Sequence, residues 1–145
     1  MRLNFEKYEI SSILLGKAKK ADISKYGIAQ IKKNSKLPGL GLIERIIEKP
    51  SIKKAPSNLY AAGRYIFNND FFKYLSKVKP DKSNEIQLTD AIADYIKDGK
   101  KVNAFPLEGD IFDCGDNTEY ILANLEFAMK DHAMKTKIKN FIRTR

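Results

Sequence analysis

Apolar positions in the first half of the chain come in short runs bounded by turn-forming residues. The run at 10–15 (Ile-Ser-Ser-Ile-Leu-Leu) has the length and character of a buried strand, and the mixed stretch at 3–8 before it reads as the end of a helix. Two further strand-like runs, 27–31 and 41–47, are separated by a turn-rich segment at 34–39 containing Pro38 and Gly39, a pattern that predicts a β-hairpin. Pro50 stops the second strand of that pair. Residues 51–58, with Pro56 and two lysines, read as a surface loop before the β-prone run at 59–67.

The period then changes. Residues 70–78 form a short helical candidate ended by Pro80. Leu88, Ala91, Ile92, Tyr95 and Ile96 fall at i, i+3, i+4, i+7 and i+8, the apolar stripe of an amphipathic helix that Gly99 closes. Residues 102–107 read as one more strand. Asp116-Asn-Thr-Glu119 has the form of a capping box ahead of a helix at 120–130, with Ile121, Leu125, Ala128 and Met129 on one face. Met134, Ile138, Phe141 and Ile142 continue a helical stripe to the end, so the chain is expected to divide into a body at 1–130 and a basic amphipathic helix at 131–145. Strands alternating with helices, without an internal repeat, argue an α/β fold with a mixed sheet.

Composition narrows the chemistry. At 145 residues, 43% hydrophobic and 31% charged, the chain fits one modest domain with a core of its own. No apolar stretch approaches the ~20 residues of a membrane span, and Arg2, Glu6, Lys7 and Glu9 occupy the segment where a signal peptide needs an apolar core, so a cytoplasmic protein without a membrane partner is expected. One cysteine, Cys114, and one histidine, His132, exclude a zinc cluster; any metal is a hard, oxygen-bound one. Cys114 reads as a small buried residue and His132 as a surface side chain. The formal charge is +9, but the lysines are scattered without interleaved aromatics, which disfavours nucleic acid against a solvated surface. In the tail, Lys130, Lys135, Lys137, Lys139, Arg143 and Arg145 accompany an apolar stripe suited to packing on the body or on a second subunit, so a homo-oligomer is one expected state.

A few residues stand out as candidates for chemistry. Lys49 precedes Pro50, which favours an extended backbone and leaves its ammonium at the strand end, free to reach a phosphate. Glu48 and Lys49 read alone are two solvated charges. They enter one pocket only if the backbone twists or bulges before Pro50, because strand neighbours face opposite sides. Asp113 is either a turn residue before Gly115 or an alternative cap to the better-placed Asp116. Gly27 permits close approach of backbone to a ligand, and Gly63, inside a strand, marks either such an approach or a bulge. Gly39-Leu40-Gly41 lacks the third glycine and the following helix that a dinucleotide cradle needs.

Three segments share an order and spacing: Ile46-Ile47-Glu48-Lys49-Pro50, then Glu85-Ile86-Gln87-Leu88-Thr89-Asp90, then Phe112-Asp113-Cys114-Gly115. From about residue 8 to residue 130 they resemble the C-terminal, sugar-binding half of bacterial UTP:glucose-1-phosphate uridylyltransferases, in the nucleotidyltransferase family. The resemblance implies an α/β, mixed-sheet half of a Rossmann-like nucleotidyltransferase fold, three-layer-like, with the N-terminal nucleotide-binding half absent. That half brings a loop of the type G-x-G-T-R-x-x-P and a second metal aspartate, neither of which occurs in this sequence. A piece of a larger sheet further predicts an unpaired strand edge. In the family the phosphate of glucose 1-phosphate attacks the α-phosphorus of UTP and pyrophosphate leaves, so positioning and cations carry the reaction rather than a nucleophilic side chain. By resemblance, Lys49 contacts the sugar phosphate and is the catalytic candidate, Glu48 accepts from sugar hydroxyls, Gly27 and Gly63 lie beside the sugar, and Asp113 holds Mg²⁺. Glu85 either touches the sugar or caps the following helix. Implied partners are glucose 1-phosphate or UDP-glucose and an N-terminal half chain. Two other readings are an inactive remnant of a split gene and a non-enzymatic basic binding module.

Overall fold

Among the described residues the apolar runs become five strands: β1 (Ser11–Lys17), β2 (Ile28–Lys32), β3 (Gly41–Ile47), β4 (Leu59–Ile66) and β5 (Val102–Pro106). The helical segments become α1 (Arg2–Tyr8), α2 (Phe72–Leu75), α3 (Leu88–Lys97), α4 (Asn117–Lys130) and α5 (His132–Arg143), with short 3-10 turns at Lys20–Lys25 and Asn69–Phe71. These elements come from a computed structural model that describes residues 1–33, 36–81 and 84–145. Asn34 and Ser35, part of the expected hairpin turn, lie outside the described residues. The chain divides into two units, Met1–Leu107 and Glu108–Arg145.

In the first unit β2 and β3 pair antiparallel, as the hairpin pattern predicts. β1 runs antiparallel to β4 and parallel to β5, and the sheet is therefore mixed. The expected layered sheet with an unpaired edge is corrected by the pairings that remain. β2 also pairs with β4, and β3 pairs with β5 through Gly41↔Ala104 and Leu42↔Asn103, which closes the order β1-β4-β2-β3-β5 into a barrel. Among the described residues each strand has two neighbours, although β2–β4 and β3–β5 share only two residue pairs each.

Glycine makes the closure possible. Between the hairpin strands the chain must swing across to β5, and there the Leu40 N–H donates to the Ala104 carbonyl at 2.8 Å. Gly39 and Gly41 flank that bond at φ 104° and 133°, and a Cβ on Gly41 would collide with the Lys32 carbonyl oxygen. Gly63 differs. Between Ile13↔Tyr65 and Leu15↔Ala61 β4 carries more residues than β1, so the strand bulges, and Gly63 sits in the bulge at φ 71° with nothing within 4 Å of a would-be Cβ.

The core lies between the inner sheet face and α3. Ile13, Leu15, Ala29, Ile43, Ile46, Val102 and Ala104 from the strands meet Ala91, Ile92 and Tyr95 from the helix, as the stripe predicts. Tyr95 is 2% exposed yet carries a hydroxyl, so it needs partners. It donates to Asp70 Oδ1 at 3.0 Å and lies 3.3 Å from Ser11 Oγ, which itself accepts the Asn68 N–H. Lys100 pairs with the other Asp70 oxygen and, ahead of the opposing effect of burial and the help of Tyr95, holds that carboxyl below its ordinary range. α3 ends as Gly99 predicts: at φ 80° its N–H reaches the Ile96 carbonyl at 2.9 Å, and the Lys100 N–H reaches Tyr95 at 3.2 Å.

In the second unit Asp116 caps α4, accepting the N–H groups of Thr118 and Glu119 at 2.9 and 3.0 Å. The helical stripe is broken at Asp131, which caps α5 by accepting the Met134 N–H at 2.8 Å. Cys114 is exposed, contrary to the buried expectation, because it sits in a turn ahead of α4 rather than in a regular element. His132 is exposed as expected. No helix among the described residues is long and apolar enough to cross a membrane.

The two glycine environments separate steric from conformational need. Gly63→Ala should cost about 1 kcal/mol, the strain of a left-handed alanine with room for its methyl. Gly41→Ala should cost at least ~3 kcal/mol, because a backbone carbonyl in the closing connection must also move. Denaturant midpoints at constant m-value measure both, and equal losses would contradict the steric role of Gly41.

Candidate functional site

Three chain segments meet where β3 ends. Glu48 follows the last residue of β3, Gly27 immediately precedes β2, and Thr89 lies in the first turn of α3. Hairpin pairing sets the first two side by side, and packing of α3 on the sheet brings the third. Thr89 Oγ1 donates to Glu48 Oε2 at 2.8 Å. A Cβ on Gly27 would stand 2.6 Å from Thr89 Cγ2 and 2.9 Å from Glu48 Oε2, so the missing side chain is what lets this pair form. The Gly27 carbonyl accepts the Ala61 N–H at 2.9 Å, which ties the segment to β4.

Lys49 departs from expectation. A residue before proline favours extended backbone, but Lys49 has φ 41°, in the left-handed region. Two anchors account for this: its N–H donates to the Tyr26 carbonyl at 3.1 Å, and Pro50 is buried. Such a conformation costs about 1–3 kcal/mol and persists only where its surroundings impose it. It is also the break in strand alternation that Glu48 and Lys49 require to serve one pocket. The Lys49 side chain is exposed and Glu48 is half-buried.

Tyr65, on β4, joins the cluster through its charge environment. Burial first, and then the Glu48 carboxylate, push its phenol above the ordinary value of 10.0. Neither Tyr65 nor Thr89 was singled out from sequence. Thr89 does belong to the Glu85–Asp90 segment, but a threonine in a first helical turn looks like an ordinary helix-start residue.

Glu85 is exposed; its carboxylate accepts from Gln87 Nε2 at 3.2 Å and its N–H donates to Asp81 Oδ1 at 3.1 Å. It does not cap α3, whose N-cap position is Gln87 without a side-chain cap bond. Gly63 and Arg64 are exposed in the β4 bulge. Asp113 belongs to the second unit, where Oδ1 accepts the Gly115 N–H at 3.0 Å, the turn that one of its two readings describes. Among the described residues no group of three or more His, Cys, Asp or Glu is assembled to hold a metal.

Chemically, a half-buried carboxylate fixed by a hydroxyl donor suits recognition of neutral hydroxyl groups. Thr89 occupies one oxygen, and a carboxylate has about four acceptor directions, which leaves capacity for other donors. A lysine on the adjoining strained turn adds a compact cation.

The family profile described as nucleotidyl transferase matches residues 3–130. The chain belongs to the nucleotidyl transferase family. A UTP–glucose-1-phosphate uridylyltransferase of Haemophilus influenzae is 36% identical over 141 residues, covering 96% of this chain and 47% of that protein. The enzyme of the same description from Escherichia coli K12 is 34% identical over 123 residues, 84% of this chain and 40% of that protein. The chain thus spans about half the length of the curated relatives it matches. Among solved structures, a UDP-glucose pyrophosphorylase complexed with UDP-glucose superposes with a TM-score of 0.79 at 36% identity, over 88% of this chain and 47% of that one. A UTP-bound enzyme from Acinetobacter baumannii gives 0.79 at 28% identity, over 98% of this chain and 48% of that one.

The Glu48–Tyr65 proximity is open to direct test. With a raised pKa the neutral phenol is favoured in the fold, so its contribution to stability is full below pH ~10 and is lost as pH rises through the folded value. Tyr60 and Tyr74 are raised as well, so alkaline absorbance titration should show several late-ionising tyrosines, of which Tyr65→Phe removes one. Glu48→Gln should bring that ionisation to lower pH without normalising it, since burial is the larger cause. Superimposable wild-type and Glu48→Gln curves would place the two groups apart.

Proposed function

We propose that this chain supplies the sugar-phosphate side of a UTP:glucose-1-phosphate uridylyltransferase, and that it corresponds to the C-terminal half of such an enzyme. The observation that carries the reading is the Gly27–Glu48–Thr89 cluster beside the strained Lys49, in which Glu48, Lys49 and Thr89 belong to the segments that suggested the family. The nature of the relatives, described as uridylyltransferases, supports it.

In this reading Glu48 accepts hydrogen bonds from hydroxyls of glucose 1-phosphate, and Gly27 lets the ring approach the backbone. Lys49 contributes its ammonium to the phosphate. The phosphate oxygen forms a bond to the α-phosphorus of UTP while the bond to the β-phosphate oxygen breaks, and pyrophosphate departs. The protein's part is orientation of the attacking oxygen and offsetting of charge. Gly63 and Glu85, both exposed, would border the sugar only at the rim. Mg²⁺, when bound, supplies charge neutralisation on the phosphates. Asp113 fits that ion as a hard oxygen donor and would be the one carboxylate this chain contributes, with phosphates and water as further ligands. The nucleotide cradle would come from an N-terminal half chain, and the substrates imply a cytoplasmic setting.

The test is complementation with the N-terminal half of a relative. UDP-glucose synthesis should appear only on mixing. Lys49→Ala should then lower turnover by about 10²–10³ and weaken glucose 1-phosphate binding while sparing UTP binding. Lys49→Arg should not restore full rate, because a planar fork places charge differently from an ammonium. Asp113→Ala should raise the Mg²⁺ requirement instead. Steady-state kinetics with UTP, glucose 1-phosphate and Mg²⁺ varied separately would refute these roles if all three dependences stayed unchanged.

A further inference from the structure

We infer that Thr89 is a positioning residue that aims the Glu48 carboxylate and so sets the preference for a sugar phosphate over a bare phosphate. This rests on the function proposed above and assigns the discrimination within that site to a residue that does not itself touch the sugar.

The argument begins with burial. Thr89 is 6% exposed, and its hydroxyl spends its proton on Glu48 Oε2 at 2.8 Å. Hydrogen bonds to an ionised carboxylate are about twice as strong as neutral ones, and this one is partly shielded from water. Glu48 has no regular strand to hold it, since β3 ends at Ile47 and Lys49 is left-handed. A free glutamate there would sample many rotamers. Thr89 removes that freedom from a rigid base, because α3 is anchored by Ala91, Ile92 and Tyr95, which are 0%, 0% and 2% exposed.

The threonine methyl acts from the other side. Thr89 Cγ2 and Glu48 Oε2 both crowd the place where a Gly27 side chain would stand. The β-branched side chain is stiff about χ1, so methyl and hydroxyl are fixed together. One carboxylate oxygen is committed to Thr89, and the orientation of the whole group is thereby set for incoming hydroxyls. Recognition built on a buried polar group discriminates strongly, because a ligand without the matching hydroxyl leaves that group unpaired.

Affinities of the full chain for glucose 1-phosphate and for inorganic phosphate, measured by calorimetry, test the assignment. Thr89→Val keeps the shape and removes the donor. It should weaken glucose 1-phosphate about tenfold and leave inorganic phosphate unchanged, collapsing the preference. Thr89→Ser keeps the hydroxyl and should retain most of it. In a Glu48→Gln background Thr89→Val should have no further effect on the preference. An unchanged preference in Thr89→Val, or a loss that persists undiminished in the Glu48→Gln background, overturns the inference while leaving the function intact. A wild-type chain without preference for glucose 1-phosphate overturns the proposed function, and the role of Thr89 with it. Thermal unfolding of each variant keeps a folding defect from passing as a binding one, since misfolding would weaken both ligands alike.

Discussion

β3 is held on both sides, and the geometry of the candidate site depends on that restraint. Along its length it pairs with β2, and at its start it meets β5 through Gly41 and Leu42. A strand fixed by two neighbours delivers its C-terminal end to a defined place, and that end carries Glu48 and Lys49. The same strand takes part in the core under α3 through Ile43 and Ile46, so the position of Thr89 is referenced to the frame that positions Glu48. A hydrogen bond between residues 41 positions apart is dependable only because both ends belong to one packed body.

Local pattern revealed the elements and left their assembly hidden. The stripe at Leu88, Ala91, Ile92, Tyr95 and Ile96 announced α3, and Asp116 announced the start of α4, because periodicity and capping are decided within a few residues. Barrel closure was not legible. It rests on two register partners of β3 and β5 and on glycines whose necessity shows only once the Lys32 carbonyl is in place. The left-handed Lys49 was likewise hidden, because the pre-proline preference points the other way and the anchors that override it, Tyr26 and buried Pro50, are tertiary. Cys114 misled because a statistical tendency of cysteine toward burial says nothing about a residue held in a turn.

The candidate residues sorted along the same line. Gly27 and Glu48 were named from a resemblance and meet in space, while Thr89 was passed over because its role needs a partner distant in sequence. Glu85 and Gly63 were named beside them and lie in a polar turn before α3 and in a bulge of β4.

The strain at Lys49 and the fixation of Glu48 have complementary consequences for recognition. An exposed ammonium is a compact, strongly hydrated charge, and it attracts any phosphate with little regard to what the phosphate is attached to. In the proposed function a carboxylate beside the sugar's phosphate would by itself repel it. The left-handed turn at Lys49 breaks the strand alternation between the two neighbours, and Thr89 takes part of the carboxylate's charge density into a hydrogen bond. In the proposed function the cation thus contributes affinity and the carboxylate contributes selectivity. Gly27 is required because even one methyl group would occupy the space in which these two demands are reconciled.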